Sequence, residues 1–299
     1  MSVTAIGSIA LDSLSLPTGE YPEILGGSAS HFATSCSLFT DVAIVGVVGE
    51  DFHNDHILYF KDRNIDTSGL QVVHGKTFRW KGKYEKEAMD QAITLDTQLN
   101  VFETFHPEIP EKLAQTDFVF LGNIHPKLQK EVAQKTTAKL KVLDTMNLWI
   151  AATKEDLIQA LAEVDVLIFN ETEAREFTGR ENLKEAAKAV LDMGPKVVVI
   201  KRGGEGAMLV SAEDLFFVGG YPVEQVIDPT GAGDSFAGGL VGYLGESGDI
   251  SRESLRRAVV YGNIMGSFNV QGVGTEVLSQ ASREEVDKRF EAFKRMMEF

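Results

Sequence analysis

The chain has 299 residues, 43% of them hydrophobic and 24% charged, enough apolar content for one large α/β domain or two smaller ones. A net charge of −15 repels phosphates, which argues against nucleic acid or an anionic membrane as partner. The single cysteine, Cys36, excludes an intrachain disulfide framework and suits a reducing cytosol.

Met1 to Ile6 has no basic segment ahead of its apolar run, and no apolar stretch reaches the roughly 18 residues of a membrane span. A soluble cytoplasmic protein is expected. Val3 to Ile9 reads as a buried first strand, with Asp12 at its carboxyl edge, where ligands of open α/β sheets collect. Asp12 is placed there to accept hydrogen bonds from hydroxyls, or else to cap a turn. Gly26-Gly27 precedes a helical pattern (Ala29, Phe32, Ala33, Cys36) and permits close approach of a ligand to the backbone. Val42 to Val48 is a second strand. Asp51 is a plausible cap for the helix carrying Ile57, Leu58 and Phe60.

Between Gln71 and Val101 the βα rhythm breaks. Thr77 to Tyr84 and Ala92 to Leu95 alternate with period two, as antiparallel strands do, and with Leu14 to Tyr21 they suit a small projecting sheet. Lys81 and Lys83 read as a solvated strand face, whereas Arg79, between Phe78 and Trp80, is the candidate for touching substrate. The alternation resumes with strands at Phe118–Leu121 and Val142-Leu143, after which Asn123 and Asp144 to Asn147 follow strand ends facing the crevice. Thr153 with Asp156 reads as a capping box. Val164 to Phe169 leads into Asn170 and Glu173, which share one face of the next helix's first turn and also fit a capping box. Asn182 with Glu185 caps another helix, and strand Val197–Ile200 follows. Lys201 to Gly206 then forms a hairpin whose cation and bare backbone, at Gly203 and Gly206, suit nucleotide phosphates, or which simply exposes a surface lysine.

Val223 to Ile227 reads as a strand end, and Asp228-Pro229-Thr230-Gly231-Ala232-Gly233-Asp234-Ser235-Phe236 carries it into a helix. The amides of Gly231, Ala232 and Gly233 converge at a helix N-terminus, which is an anion site. Asp234 would repel a bound phosphate, so it is better explained as a general base acting on an attacking hydroxyl beside that phosphate. No lysine follows the glycines as a P-loop requires, and Phe236 stands where the dinucleotide fingerprint needs its third glycine.

This string resembles the signature of the ribokinase-like (PfkB) carbohydrate kinases, and Gly26-Gly27, Asn170-x-x-Glu173 and Lys201 to Gly206 extend the resemblance over nearly the whole chain. The resemblance implies a doubly wound α/β fold with a mostly parallel sheet and helices on both faces. It further implies one domain over 1–299, with a β-sheet lid inserted from about 13–22 and 71–104, which serves many members as a dimer surface. It implies transfer of the ATP γ-phosphoryl to a hydroxymethyl group of a sugar, nucleoside or polyol. Asp12 and Gly26-Gly27 would grip the acceptor. Asn170 and Glu173 would order water around Mg²⁺, and Asn263 and Ser267 would line the adenine. Asp228 and Thr230, with the loop from Val270 to Thr275, would hold a monovalent cation such as K⁺ where a member uses one. Members that bind ribose carry Asn at the positions of Ala10 and, usually, His31. His31 replaces that amide as a donor or caps a helix, and either way free ribose is not the expected acceptor. No arginine is in register after Asn147, so the phosphate clamp found there in many members is not expected.

The favoured activity is an ATP- and Mg²⁺-dependent sugar kinase. A nucleoside 5′-hydroxyl is the alternative acceptor, with Phe78, Trp80, Phe102 and Phe105 available to stack on a base. A non-catalytic metabolite sensor is the reading from another class, and the presence of Asp234 and its glycines opposes it.

Overall fold

Short runs of β-branched and aromatic residues, each closed by a turn, build the sheets of this computed structural model, which describes residues 1–298 apart from the side chain of Asp90. In chain order the strands are β1 (Ser2–Ile6), β2 (Ala10–Leu16), β3 (Gly19–Gly26), β4 (Asp41–Gly49), β5 (Asp66–Val73), β6 (Phe78–Glu85) and β7 (Ala88–Gln98). They continue with β8 (Phe118–Leu121), β9 (Leu140–Asp144), β10 (Val166–Asn170), β11 (Val197–Lys201), β12 (Ala207–Ser211) and β13 (Leu215–Val218).

Nine strands form the main sheet in the order β13-β12-β11-β10-β9-β8-β1-β4-β5. From β11 to β5 every neighbouring pair is parallel, while β12 and β13 add antiparallel at the edge. The chain starts mid-sheet at β1, winds outward through β4 and β5, then returns to β8 and winds the other way. Such a reversal opens a crevice at the carboxyl ends of the strands.

Both faces of the sheet are covered, and alternation along β8 shows how. Phe118 and Phe120 join one core cluster with Phe32, Leu240 and Ile264, while Val119 and Leu121 join the opposite one with Leu157 and Phe177. Phe32 stacks on Phe120 with ring centroids 3.9 Å apart, and both are wholly buried. Each such side chain contributes roughly 1.5–3 kcal/mol on burial. On the first face, helix Ala232–Ser247 packs between helices Ser28–Cys36 and Arg252–Asn269. A Cβ at Gly239 would lie 2.8 Å from the Tyr261 carbonyl, so this close packing needs its glycine.

The smaller sheet has the order β3-β2-β6-β7, with β2 and β6 parallel and the outer pairs antiparallel. It begins earlier than the sequence suggests, at Ala10, and residues 71–73 belong instead to β5 of the main sheet. The first strand stops at Ile6 because Ser8 and Ser28 exchange hydrogen bonds, each backbone N–H donating to the other hydroxyl at 3.1 Å, which turns the chain. Asp12 therefore sits within lid strand β2 and not at the edge of β1.

Three local expectations give way for identifiable reasons. His53, not Asp51, caps helix Asn54–Asp62, since Asp51 is engaged by the backbone and hydroxyl of Thr77. Thr153 makes no side-chain cap, because its hydroxyl donates back to the Trp149 carbonyl. Val223 to Ile227, flanked by Pro222 and Pro229, is irregular loop tied to the Val270 carbonyl through the Ile227 N–H at 2.7 Å. Among the described residues no helix is long and apolar enough to cross a membrane.

Candidate active site

The signature loop is built around two buried anchors. Asp228, wholly buried, accepts the Thr230 N–H on Oδ1 (2.9 Å) and the Gly274 N–H on Oδ2 (2.7 Å). It thereby fastens the signature to the loop at 270–275 through contacts that leave one lone pair on each oxygen. Asn269 is the second anchor. Its Nδ2 donates to the Thr230 carbonyl at 2.8 Å, and its Oδ1 accepts from the Ser235 hydroxyl at 2.8 Å and lies 3.1 Å from His31 Nδ1.

These bonds settle the role of His31. With Asn269 Oδ1 as the acceptor, Nδ1 carries the proton and the buried Nε2, which has no partner among the described residues, is a bare acceptor. Burial lowers the imidazole pKa, against the opposing charge of Asp228 and the bond to Asn269, so the ring is neutral. His31 therefore neither caps the helix, a place taken by Gly27, nor supplies a free donor in place of an amide.

Gly231 caps helix Ala232–Ser247 at φ +72°, and a Cβ there would run into the His31 ring. Left-handed backbone and this close approach together require glycine. At Gly233 a Cβ would lie 2.8 Å from Lys201 Nζ, so the ammonium rests against the helix's first turn. Ala232 contributes less to the anion cradle than its position suggests, because its N–H already reaches the Pro229 carbonyl at 3.2 Å.

Asp234 projects from this first turn. Its pKa is raised to about 7 by burial and then by the charge of Asp144, with Lys201 pulling the other way. Asp12 is likewise raised to about 7, by burial and then by the charges of Asp228 and Asp234, while the Gly27 N–H lowers it. Asp12 and Asp234 thus titrate in one shared region. Gly26 makes room for Asp12, since a Cβ at Gly26 would overlap the Asp12 carboxylate.

Beside the signature lies a cavity of about 420 Å³, and Lys201, Gly203, Gly206, Gly233, Asn263 and Ser267 all line it. Val223, Val226, Phe236 and Val270 make it largely apolar, and Met89 reaches it from the lid. Such a mix of apolar walls with a cation and helix amides at one end suits a nucleotide, base inward and phosphates toward the signature. The Asn263 amide and Ser267 hydroxyl donate to their own helix, to Val259 O (3.3 Å) and Ile264 O (2.6 Å). Their side chains therefore present acceptor oxygens to the cavity, and the Ser267 oxygen also takes Arg289 Nη1 at 2.9 Å.

The remaining sequence candidates fall elsewhere. Asn170 and Glu173 form a reciprocal capping box, with Asn170 N–H donating to Glu173 Oε2 (2.7 Å) and Glu173 N–H to Asn170 Oδ1 (2.8 Å). Glu173 is only 5% exposed, and burial lifts its pKa to about 7, with Lys201 opposing and Asp144 reinforcing the rise. Its Oε1 takes no hydrogen bond among the described residues. Arg79 is already engaged: it is paired with Glu23 (2.7 Å) and Asp51 (2.8 Å) and donates to the Thr77 carbonyl, which pins the lid to the body. Asn123 is held by the Trp149 indole N–H at 2.6 Å and by Met146 Sδ, so it does not reach the crevice unengaged.

Sequence reasoning missed Tyr84, whose hydroxyl meets Thr230 Oγ1 at 3.2 Å and so joins lid to signature. It also missed Asn269, which follows one turn after the small residues of its helix and offers no motif of its own. Asp144 was legible only as a polar residue after a strand; its 2.8 Å ion pair with Lys201 depends on β10 lying between them.

The chain was compared with known proteins. The family model for pfkB family carbohydrate kinases matches residues 17–281. The cytidine kinase of Thermococcus kodakarensis is 29% identical over 251 residues, covering 81% of this chain and 88% of that protein. The ribokinase of Haemophilus influenzae is 26% identical over 297 residues, covering 92% of this chain and 94% of that protein. Among solved structures, the Methanocaldococcus jannaschii nucleoside kinase aligns with a TM-score of 0.79 at 19% identity, covering 97% of this chain and 98% of that one. The Vibrio cholerae fructokinase bound to fructose, ADP and calcium aligns at 0.82 and 18% identity, with the same coverage. At such identities the solved structures establish the fold, and the family match, which runs from the lid through the signature to the loop beyond it, makes this chain a member of the pfkB family carbohydrate kinases.

Proposed function

We propose that this protein transfers the γ-phosphoryl group of ATP to a primary hydroxyl of a sugar or nucleoside, with Asp234 as general base. One observation carries the reading: a carboxylate raised to about 7 stands on the first helical turn next to Gly233, against which the Lys201 ammonium rests, and Gly233 and Lys201 line a nucleotide-sized cavity. A base poised near neutrality is matched to deprotonating an alcohol as it attacks, while fixed donors meet the charge growing on the transferred group. Asp12 orients the acceptor by accepting hydrogen bonds from neighbouring hydroxyls, and His31 Nε2 offers one further acceptor in the same region.

Glu173 fits water-mediated control of Mg²⁺, since one oxygen is fixed by the Asn170 N–H and the other is unengaged. The ion supplies charge neutralisation at the phosphates. Asp228 keeps a lone pair on each oxygen, which supports a monovalent cation such as K⁺ at the loop it fastens.

The choice between sugar and nucleoside rests on different observations. The relatives include both kinds of kinase. Phe78, Phe102 and Phe105 stack on one another at 5.1 and 5.8 Å, and Trp80 lies over Gly82, so these rings are engaged and do not by themselves favour a base. Ile93 and Leu95 stay 43% and 50% exposed on the lid's outer strand, which supports a homodimer through the lid, readable by sedimentation velocity. A panel of sugars and nucleosides with labelled ATP tests the reading, with Asp234→Asn as control. Label transferred to one class assigns the acceptor. Ligand binding with no transfer to any member would replace the kinase with a sensor.

A further inference from the structure

Asp144 takes no part in the chemistry described above, yet it sits at the hub of the site's charge. It ends β9, Lys201 ends β11, and β10 runs between them. In register, Asp144 lies beside Ile168 and Lys201 beside Asn170, so both charges stand at the carboxyl edge where the crevice opens. The lysine stem crosses over β10 to reach the acid, a lateral span of about 10 Å between strands.

The carboxylate is fixed before it meets the ammonium. Its Oδ1 accepts the Thr145 N–H at 2.9 Å and its Oδ2 takes Lys201 Nζ at 2.8 Å. Behind it the buried Gln129 side chain donates to the carbonyls of Gly122 (2.8 Å) and Asp144 (2.9 Å), locking two strand ends together. The side chains are only 5% and 16% exposed. Buried pairs of this kind add little net stability, because desolvation offsets attraction. What the pair does here is set position. Lysine is a point charge on a flexible stem, and this one has three acids within its electrostatic reach, namely Asp144, Glu173 and Asp234. Its partner decides where it rests, and resting on Asp144 places it against Gly233 while it still lines the nucleotide cavity.

We propose that Asp144 is a positioning residue for phosphoryl transfer: it holds the Lys201 ammonium against the first turn of the signature helix and keeps it from pairing with the Asp234 carboxylate. The proposal rests on the kinase reading above. Without Asp144 the ammonium swings to Asp234 or Glu173, which both removes a phosphate contact and neutralises the base. The charged groups coupled to Asp234 are Asp144, Lys201 and Asp12; Glu173 is coupled to Lys201, Asp228 to Asp12 and to His31, whose ring lies against Gly231.

Asp144→Asn is the direct test, on the full-length protein with circular dichroism to verify folding. Expected are an ATP dissociation constant by calorimetry weakened about tenfold, an acceptor KM within about twofold of wild type, and an acid limb of kcat shifted about one pH unit lower. The limb moves down because a like charge is removed from Asp234 and an opposite one draws nearer. Lys201→Met combined with Asp144→Asn should bind ATP no worse than Lys201→Met alone, since the acid acts through the lysine. Wild-type ATP affinity together with an unmoved acid limb in folded Asp144→Asn overturns the proposal, as does a double variant whose losses simply add. If Asp144→Asn does not fold, Asp144→Glu decides by the same readouts: weakened ATP binding supports positioning, and wild-type affinity with a wild-type limb overturns it. Failure of the kinase reading would appear separately, as wild-type protein that binds ATP but phosphorylates no acceptor.

Discussion

Replacing Asp234 by Asn should sharply lower turnover and at the same time stabilise the fold, by an amount that grows with pH. The carboxyl is raised from 3.8 to about 7 in the folded state, chiefly by burial and by the charge of Asp144. A raised acid binds its proton more tightly folded than unfolded, so its contribution to stability is lost as pH climbs from the unfolded value through the folded one. Integrated over that window, the charged form costs about 0.6 kcal/mol at pH 4 and about 4 kcal/mol at pH 8. Partial exposure and the loss of attraction to Lys201 reduce the upper figure, to about 2 kcal/mol. Urea unfolding of wild type and variant across pH 4 to 8 should therefore show curves that diverge toward the alkaline side, with the variant more stable. In parallel kcat should fall by about 10²–10⁴, the contribution of a positioned base. Parallel stability curves would mean that Asp234 is not desolvated, and wild-type turnover would remove it from the mechanism.

Gly231→Ala should lose about 2–4 kcal/mol, from left-handed backbone at φ +72° and from overlap with the His31 ring, read as a lowered urea midpoint with an unchanged slope. Its kcat should fall as well, since the turn that aims the amides is displaced. Tyr84→Phe removes the 3.2 Å contact with Thr230 that joins lid to signature, and about 0.5–1.5 kcal/mol of lid closure with it. Acceptor KM should rise about three- to tenfold with kcat nearly intact, and unchanged KM would show that the lid closes without this contact.

The α/β alternation was legible because its strands are short apolar runs separated by helix-length patterns, and such runs are buried on both faces, while the two-way winding came from the family resemblance. The signature was legible for a related reason, in that a turn needing positive φ can hardly be written without glycine, and Gly231 shows the need directly. What stayed hidden was anything decided by contacts across strands. Asp12 was placed one strand too early because the Ser8–Ser28 exchange that ends β1 joins residues twenty apart. Arg79 looked like a substrate contact between two aromatics, yet Glu23 and Asp51 claim it from separate elements. The tautomer of His31 depends on Asn269, and the resting place of Lys201 on Asp144, partners no local pattern joins. In each case the residue type announced that a polar group would be satisfied, and only the fold determined by whom. This division explains why the chemistry was easier to read than the acceptor. On the proposed reading, phosphoryl transfer is specified by one contiguous turn, whereas recognition draws on the lid and the Gly26-Gly27 turn, which meet only after folding. Determinants of the acceptor should accordingly lie in β2, β6 and the turn before helix Ser28–Cys36, whose side chains can vary without disturbing the turn that carries Asp234.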